Sequence, residues 1–172
     1  WAMGGPPEKC IASGGRQVRN EDKYGNIFDH FDVEYEYPNG VRCMSMCRQW
    51  EGGSHRVAEN IVGTKGTANP SGEIFGANAW KYEGDFDMKQ AYVQEHRALI
   101  EGIRNNAPLN ELEQVAESCM TAIMGRTAAY TGQQVSYRWM MNSSKLDLSP
   151  EKMELGPNPV RPVPVTGVTK LV

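Results

Sequence analysis

Between residues 29 and 50 the chain alternates apolar and polar side chains in two runs that flank Asn39-Gly40. A period of two marks strands with one face covered. Asn-Gly between such runs is the strongest short-range hairpin signal, because both residues tolerate the positive φ of a type I′ turn. With Asn39 and Gly40 as the two loop residues, Pro38 faces Val41. Phe31 then lies opposite Arg48, Val33 opposite Met46, Tyr35 opposite Met44 and Tyr37 opposite Arg42. That register gives one mainly apolar face. The other face carries His30, Asp32, Glu34 and Glu36 against Gln49, Cys47, Ser45 and Cys43. The apolar face requires cover from the rest of the chain.

Shorter strands are predicted at residues 9–13, 56–62, 67–69 and, as a pair around Gly76-Ala77-Asn78, within 72–82. The period then becomes helical. Asp87 and Gln90 form a capping box, and Tyr92, His96, Leu99, Ile100 and Ile103 recur on one side until Asn105-Asn106-Ala107-Pro108 ends the helix. Asn110 and Glu113 open a second helix whose stripe is Leu112, Val115, Cys119, Ile123 and Tyr130, closed by Gly132. At 1.5 Å per residue it extends roughly 32 Å, enough to cross several strands. Residues 133–139 predict a last strand, and the prolines at 150, 157, 159, 162 and 164 favour an extended C-terminal tail lying on a surface. Strands followed by a helix pair predict an α+β fold. Its sheet is open-faced and mainly antiparallel, with two long helices packed on one face. Residues 1–149 read as one domain and 150–172 as the tail.

A length of 172 residues suits a single domain, and 40% hydrophobic with 23% charged residues is ordinary for a globular chain. The net charge of -3 offers no general attraction for nucleic acid or anionic membrane. No apolar run is long enough to span a bilayer. The compartment, cytoplasmic or periplasmic, is not legible. The first residue is Trp1 rather than an initiator Met, so the chain is expected to be a piece of something longer. Cys10, Cys43, Cys47 and Cys119 make no metal pattern. Cys43 and Cys47, four apart on a strand, are separated by about 13 Å and cannot bridge. Cys119 reads as a small core residue.

Gly63-Thr64-Lys65-Gly66-Thr67 lacks phosphate-loop spacing and precedes a strand, so it reads as a hairpin turn. Gly14-Gly15 does not begin a dinucleotide fingerprint. His96, on its helix's apolar stripe, reads as a hydrogen-bonded core histidine. His30, at a strand start beside a polar loop, is the better site candidate. Asp32, Glu34 and Glu36 meet no cross-strand cation in the register above and are expected on a solvated or intersubunit face. The polar concentration at residues 14–26 carries the candidate binding site. Arg16 and Arg19 are suited to clamp an anionic or hydroxyl-rich ligand, with Tyr24 and Asn26 adding sugar-type contacts.

Several stretches together resemble the C-terminal domain of the Gfo/Idh/MocA oxidoreductases. They are Gly14-Gly15-Arg16-Gln17-Val18-Arg19, Gly25-Asn26-Ile27-Phe28-Asp29-His30-Phe31 and Gly63-Thr64-Lys65-Gly66, followed by Glu95-His96-Arg97 and Met124-Gly125-Arg126-Thr127-Ala128-Ala129-Tyr130-Thr131-Gly132. The resemblance covers nearly the whole chain. It implies a parent enzyme whose N-terminal Rossmann domain binds NAD or NADP, with no cofactor expected in this part. The open-faced sheet would supply a substrate wall and a homo-oligomer contact. Arg16, Arg19, Tyr24, Asn26 and His30 would touch a sugar-like substrate. The family's catalytic Lys, Asp and His would lie upstream of Trp1, since Glu8-Lys9 is followed by Cys10 rather than Pro. The implied activity is hydride transfer between nicotinamide and a sugar, polyol or related hydroxy compound. The alternatives are an NAD-dependent glycosidase of the same family and an assembly module with no ligand of its own.

Overall fold

Val33 and Tyr35, on alternate positions of the predicted hairpin, are both buried, as a half-covered strand requires. A computed structural model describes residues 2–69, 72–84, 87–156 and 158–172; Trp1 and the tail residue Pro157 lie outside these. The strands are β1 (Lys9–Gly15), β2 (His30–Glu36), β3 (Arg42–Arg48), β4 (Ile61–Gly63), β5 (Gly66–Asn69), β6 (Glu73–Gly76), β7 (Trp80–Lys81) and β8 (Val135–Ser136). The helices are α1 (Met88–Arg104), α2 (Leu112–Thr131) and α3 (Tyr137–Asn142). The fold is α+β with two antiparallel four-stranded sheets, ordered β3-β2-β1-β8 and β4-β5-β6-β7. Where the pattern predicts one domain through residue 149, the chain divides into two compact units, residues 1–51 with 111–172 and residues 52–110.

In the first unit α2 covers β1 and β2. Its C-terminal half is the buried part, with Met124, Gly125, Thr127, Ala128, Ala129 and Thr131 inward. The core joins Cys10, Val33, Tyr35, Met124, Ala128, Val135 and Met140. Gly125 permits the close approach: a Cβ there would land on the Tyr35 hydroxyl and lie 3.2 Å from Val33 Cγ1. Tyr35 instead donates its hydroxyl to Thr121 O at 3.1 Å. α2 closes on Gly132 in the left-handed conformation, φ 70°. The C-terminal segment docks there, with Gly167 N–H donating to Thr131 O and the Thr166 hydroxyl to Ala129 O.

The hairpin register differs by one residue from the expected pairing. Val33 faces Ser45, Tyr35 faces Cys43 and Phe31 faces Cys47. Asn39 and Gly40 do take positive φ, 65° and 75°. The loop also absorbs Pro38, however, and the pair closes with Tyr37 N–H on Val41 O at 2.7 Å. The slip moves Met44 and Met46 to the outer face beside Glu34 and Asp32. It also brings Arg42 opposite Glu36, where it pairs with both Glu34 and Glu36, while Lys9 of the neighbouring β1 pairs with Glu36 at 3.2 Å.

Other expectations also change. The predicted strand at 56–62 is present only from Ile61, and the one at 133–139 stops after Val135–Ser136. There the Ser136 hydroxyl accepts from Trp139 N–H and turns the chain into α3. α1 begins at the expected cap, Asp87, whose carboxylate accepts from Lys89 N–H at 2.9 Å. Yet α1 buries no residue, and no described residue of the second unit is buried. His96 is therefore an exposed histidine bonded to Tyr92 O one turn back, not a core residue. Cys119 is likewise exposed on the outer side of α2. An amphipathic stripe records that a face favours cover, not that this chain provides it.

Candidate functional site

Residues 16–29 join β1 to β2, and two side chains organise them. The guanidinium of Arg16 donates to three backbone carbonyls of its own loop, those of Arg19, Gly25 (2.5 Å) and Glu21 (3.0 Å). Asp29, 2% exposed, does the complementary work for donors. Its Oδ2 accepts from the N–H groups of Gln17, Val18 and Arg19 at 2.8, 2.7 and 2.9 Å. Its Oδ1 lies 2.8 Å from His30 Nδ1 and 3.4 Å from Trp50 Nε1. Burial alone would raise the Asp29 pKa. The hydrogen bonds from Arg19, His30, Val18 and Gln17 overcome that and hold the carboxyl well below the usual carboxylate range.

An ionised Asp29 facing Nδ1 fixes the imidazole: Nδ1 carries the proton, and in the neutral ring Nε2 is left as an acceptor. The ring stands edge-on to Trp50, centroids 5.3 Å apart. It is backed by Gly15, where a Cβ would come within 3.1 Å of Cε1. Arg48 is the cross-strand neighbour of His30, and its guanidinium carbon sits 5.7 Å from the Trp50 ring centroid. Arg19 lies over Tyr24 at 5.3 Å and donates to Gln49 Oε1 at 3.3 Å. Behind the loop, Phe28 is buried edge-on to Tyr130 of α2, centroids 4.6 Å apart. That contact anchors the loop to the covered side of the sheet.

The five residues expected to bind ligand thus all belong to this loop or its exit, in unequal positions. Arg16 is committed to loop carbonyls. Asn26 reaches Pro162 O in the C-terminal segment at 3.4 Å. Arg19, Tyr24 and His30 present partly exposed functional groups. Asp29 and Trp50 are the residues the sequence reading missed. The Asp29-His30 dipeptide was the available signal, but the donors it serves lie 10–12 residues upstream.

Comparison with protein-family models, with curated proteins and with solved structures finds no match to this chain.

Among the described residues no three His, Cys, Asp or Glu side chains are grouped to hold a metal ion. The described strands pair only antiparallel, and none leads through a glycine-rich turn into a helix that could cradle a pyrophosphate. These residues do not fit a dinucleotide. No described helix is long and apolar enough to cross a membrane. In the second unit a shallow concavity of about 650 Å³ runs along α1, between Tyr92, His96, Ile100 and Arg104. Its lining comes from a single helix, and none of the candidate binding residues contributes to it.

Proposed function

We propose that this chain supplies the substrate wall and assembly surface of an NAD(P)-dependent oxidoreductase acting on a sugar, polyol or related hydroxy compound, as its resemblance to Gfo/Idh/MocA C-terminal domains implies. The observation that supports the reading most is the Asp29–His30 pair. It holds a hydrogen-bonding imidazole at 2.8 Å beside the ring of Trp50, and the same Asp29 carboxylate accepts from the backbone N–H of Arg19, whose partly exposed guanidinium lies over Tyr24. Aromatic planes with a few fixed donors and acceptors are what hydroxyl-rich ligands require. On this reading the nicotinamide nucleotide and the catalytic lysine belong to other parts of the parent protein. The present residues bind and orient substrate.

The test is nicotinamide reduction by the full-length parent with a panel of polyols and sugars, for wild type and Arg19→Ala. Turnover with a raised KM in the variant supports the reading. Absence of nicotinamide reduction, combined with hydrolysis of aryl glycosides, replaces it with the glycosidase alternative.

A second reading, assembly through the open sheet face, is favoured by β3. All seven of its residues are exposed, Met44 by 57% and Met46 by 74%. Contiguous exposed apolar side chains on an edge strand mark an interaction surface or a liability. Sedimentation of wild type and Met46→Glu tests it. A homo-oligomer that Met46→Glu dissociates is expected, and a monomer in both cases sinks the assembly role.

A further inference from the structure

We infer that His30 Nε2 accepts the hydrogen bond of a ligand hydroxyl, with Asp29 as the positioning residue and the Trp50 ring as the apolar side wall of the subsite. The inference rests on the substrate-wall reading and deepens it by naming the contacting atom and ligand group. Three observations converge on it. First, Nδ1 is engaged by a carboxylate that is itself satisfied by three backbone N–H groups, so the ring is held in orientation and tautomer from behind. Second, the imidazole's only hydrogen bond among the described residues is at Nδ1, and the side chain is 32% exposed. Third, Trp50 stands edge-on at 5.3 Å and is tied to the same carboxylate. Ring and imidazole therefore share one support. A neutral imidazole acceptor flanked by an indole selects a ligand with O–H beside C–H, the alternation that polyols and sugars present. The charged groups placed next to His30 are Asp29, bonded to Nδ1, and Arg48, its cross-strand neighbour on β3. One carboxylate and one guanidinium offset, so a neutral polyol is favoured over a strongly charged ligand.

The experiment is two-dimensional nitrogen–proton NMR on the full chain labelled at histidine nitrogens, at about pH 8, where an ordinary imidazole is neutral. His30 signals are assigned by their loss in His30→Asn. The expected spectrum has a protonated Nδ1 and an unprotonated Nε2. Titration with sorbitol and with myo-inositol is expected to move the Nε2 signal saturably. His30→Asn keeps a donor for Asp29 but has no acceptor at the Nε2 position, and it is expected to weaken polyol binding about tenfold, the loss of roughly one hydrogen bond. A protonated Nε2 in the wild-type chain overturns the inference whatever any variant does, and leaves the substrate-wall reading standing. So does polyol binding that perturbs the loop but is unchanged in His30→Asn. If neither polyol perturbs any resonance of residues 16–30 or the Trp50 indole, the substrate-wall reading itself falls, and this inference with it.

Discussion

Removing the Asp29 carboxylate is the perturbation with the clearest physical consequence. Five donors converge on it, three of them consecutive backbone N–H groups. A net hydrogen bond to a charged group contributes about 1.5–3 kcal/mol, and several on one oxygen are not additive. In Asp29→Ala the three N–H groups lose their acceptor together, but Gln17 and Val18 are exposed, so water replaces part of it. The expected cost is about 3–4 kcal/mol, a large share of a typical domain's stability. Asp29→Asn can still turn its amide oxygen to the three N–H groups. Its amide nitrogen then faces His30 Nδ1 and Trp50 Nε1, and the charge is gone, so about 2 kcal/mol is expected.

The pH dependence separates the ionic from the steric contribution. Because the folded-state pKa of Asp29 is lowered, its stabilisation is fully present above the unfolded-state carboxylate value near 3.9 and is lost as pH falls through the lower folded value. Urea unfolding followed by tryptophan fluorescence at pH 7 and at successive pH values below about 4 therefore has a definite expectation. The gap between wild type and Asp29→Asn is largest at pH 7 and narrows as the wild type loses its carboxylate. A pH 7 cost under about 0.5 kcal/mol for either variant, the range of featureless surface substitutions, refutes the account of the loop.

Gly125→Ala is expected to cost about 1–3 kcal/mol through overpacking against Tyr35 and Val33. Because the clash is with the hydroxyl, Tyr35→Phe should recover part of that cost in the double variant, and strictly additive unfolding energies would contradict the packing described. Cys43, Cys47 and Cys119 should react rapidly with a disulfide reagent, while Cys10 reacts only on unfolding, as a count of fast and slow thiols will read. Burial pushes the Cys10 thiol up to about 11. Its contribution to stability is thus present below about pH 9 and declines as pH rises towards 11, and Cys10→Ala should flatten that decline. Tyr35, also raised by burial, retains a share of the slope. Glu34→Gln removes one partner of the exposed Arg42 cluster, and the expected loss is at most about 1 kcal/mol, diminished by salt in the same unfolding assay.

The hairpin shows what local pattern can and cannot specify. Val33 and Tyr35 were legible as inward residues because β2 alternates strongly and has a helix to pack against. The turn dipeptide was legible too, since Asn39 and Gly40 adopt the positive φ they are suited to. The register was not. It depends on whether Pro38 belongs to strand or loop, and β3 carries too little burial to decide, being exposed on all seven residues. One residue of loop length then sets Cys43 and Cys47, rather than Met44 and Met46, opposite Tyr35 and Phe31, as the period of two demands. The helices divide in the same way. Both spans were readable from periodicity, but neither stripe was: α1 buries no residue, Leu112, Val115 and Cys119 of α2 are exposed, and the buried residues of α2 are Met124, Gly125, Thr127, Ala128, Ala129 and Thr131 of its C-terminal half, so which side is covered is a property of the tertiary contacts.

That same slip alters the argument for the open face. In the expected register Asp32, Glu34 and Glu36 lacked cations, and unpaired carboxylates were the reason to anticipate a second subunit. In the observed register Arg42 and Lys9 pair with Glu34 and Glu36 within the sheet, so charge no longer favours a partner. Apolar burial favours one instead, because Met44 and Met46 now stand outward, 57% and 74% exposed, with Ile11 two strands away across Glu34. An association driven by these side chains would bury apolar area and persist at high salt, whereas one driven by the carboxylates would weaken as salt screens them. Sedimentation across ionic strength separates the two. Persistence of the oligomer at about 1 M salt, where the screening length falls to roughly 3 Å, is the expected result. Dissociation there would return the contact to the carboxylates and set aside the role given to Met44 and Met46.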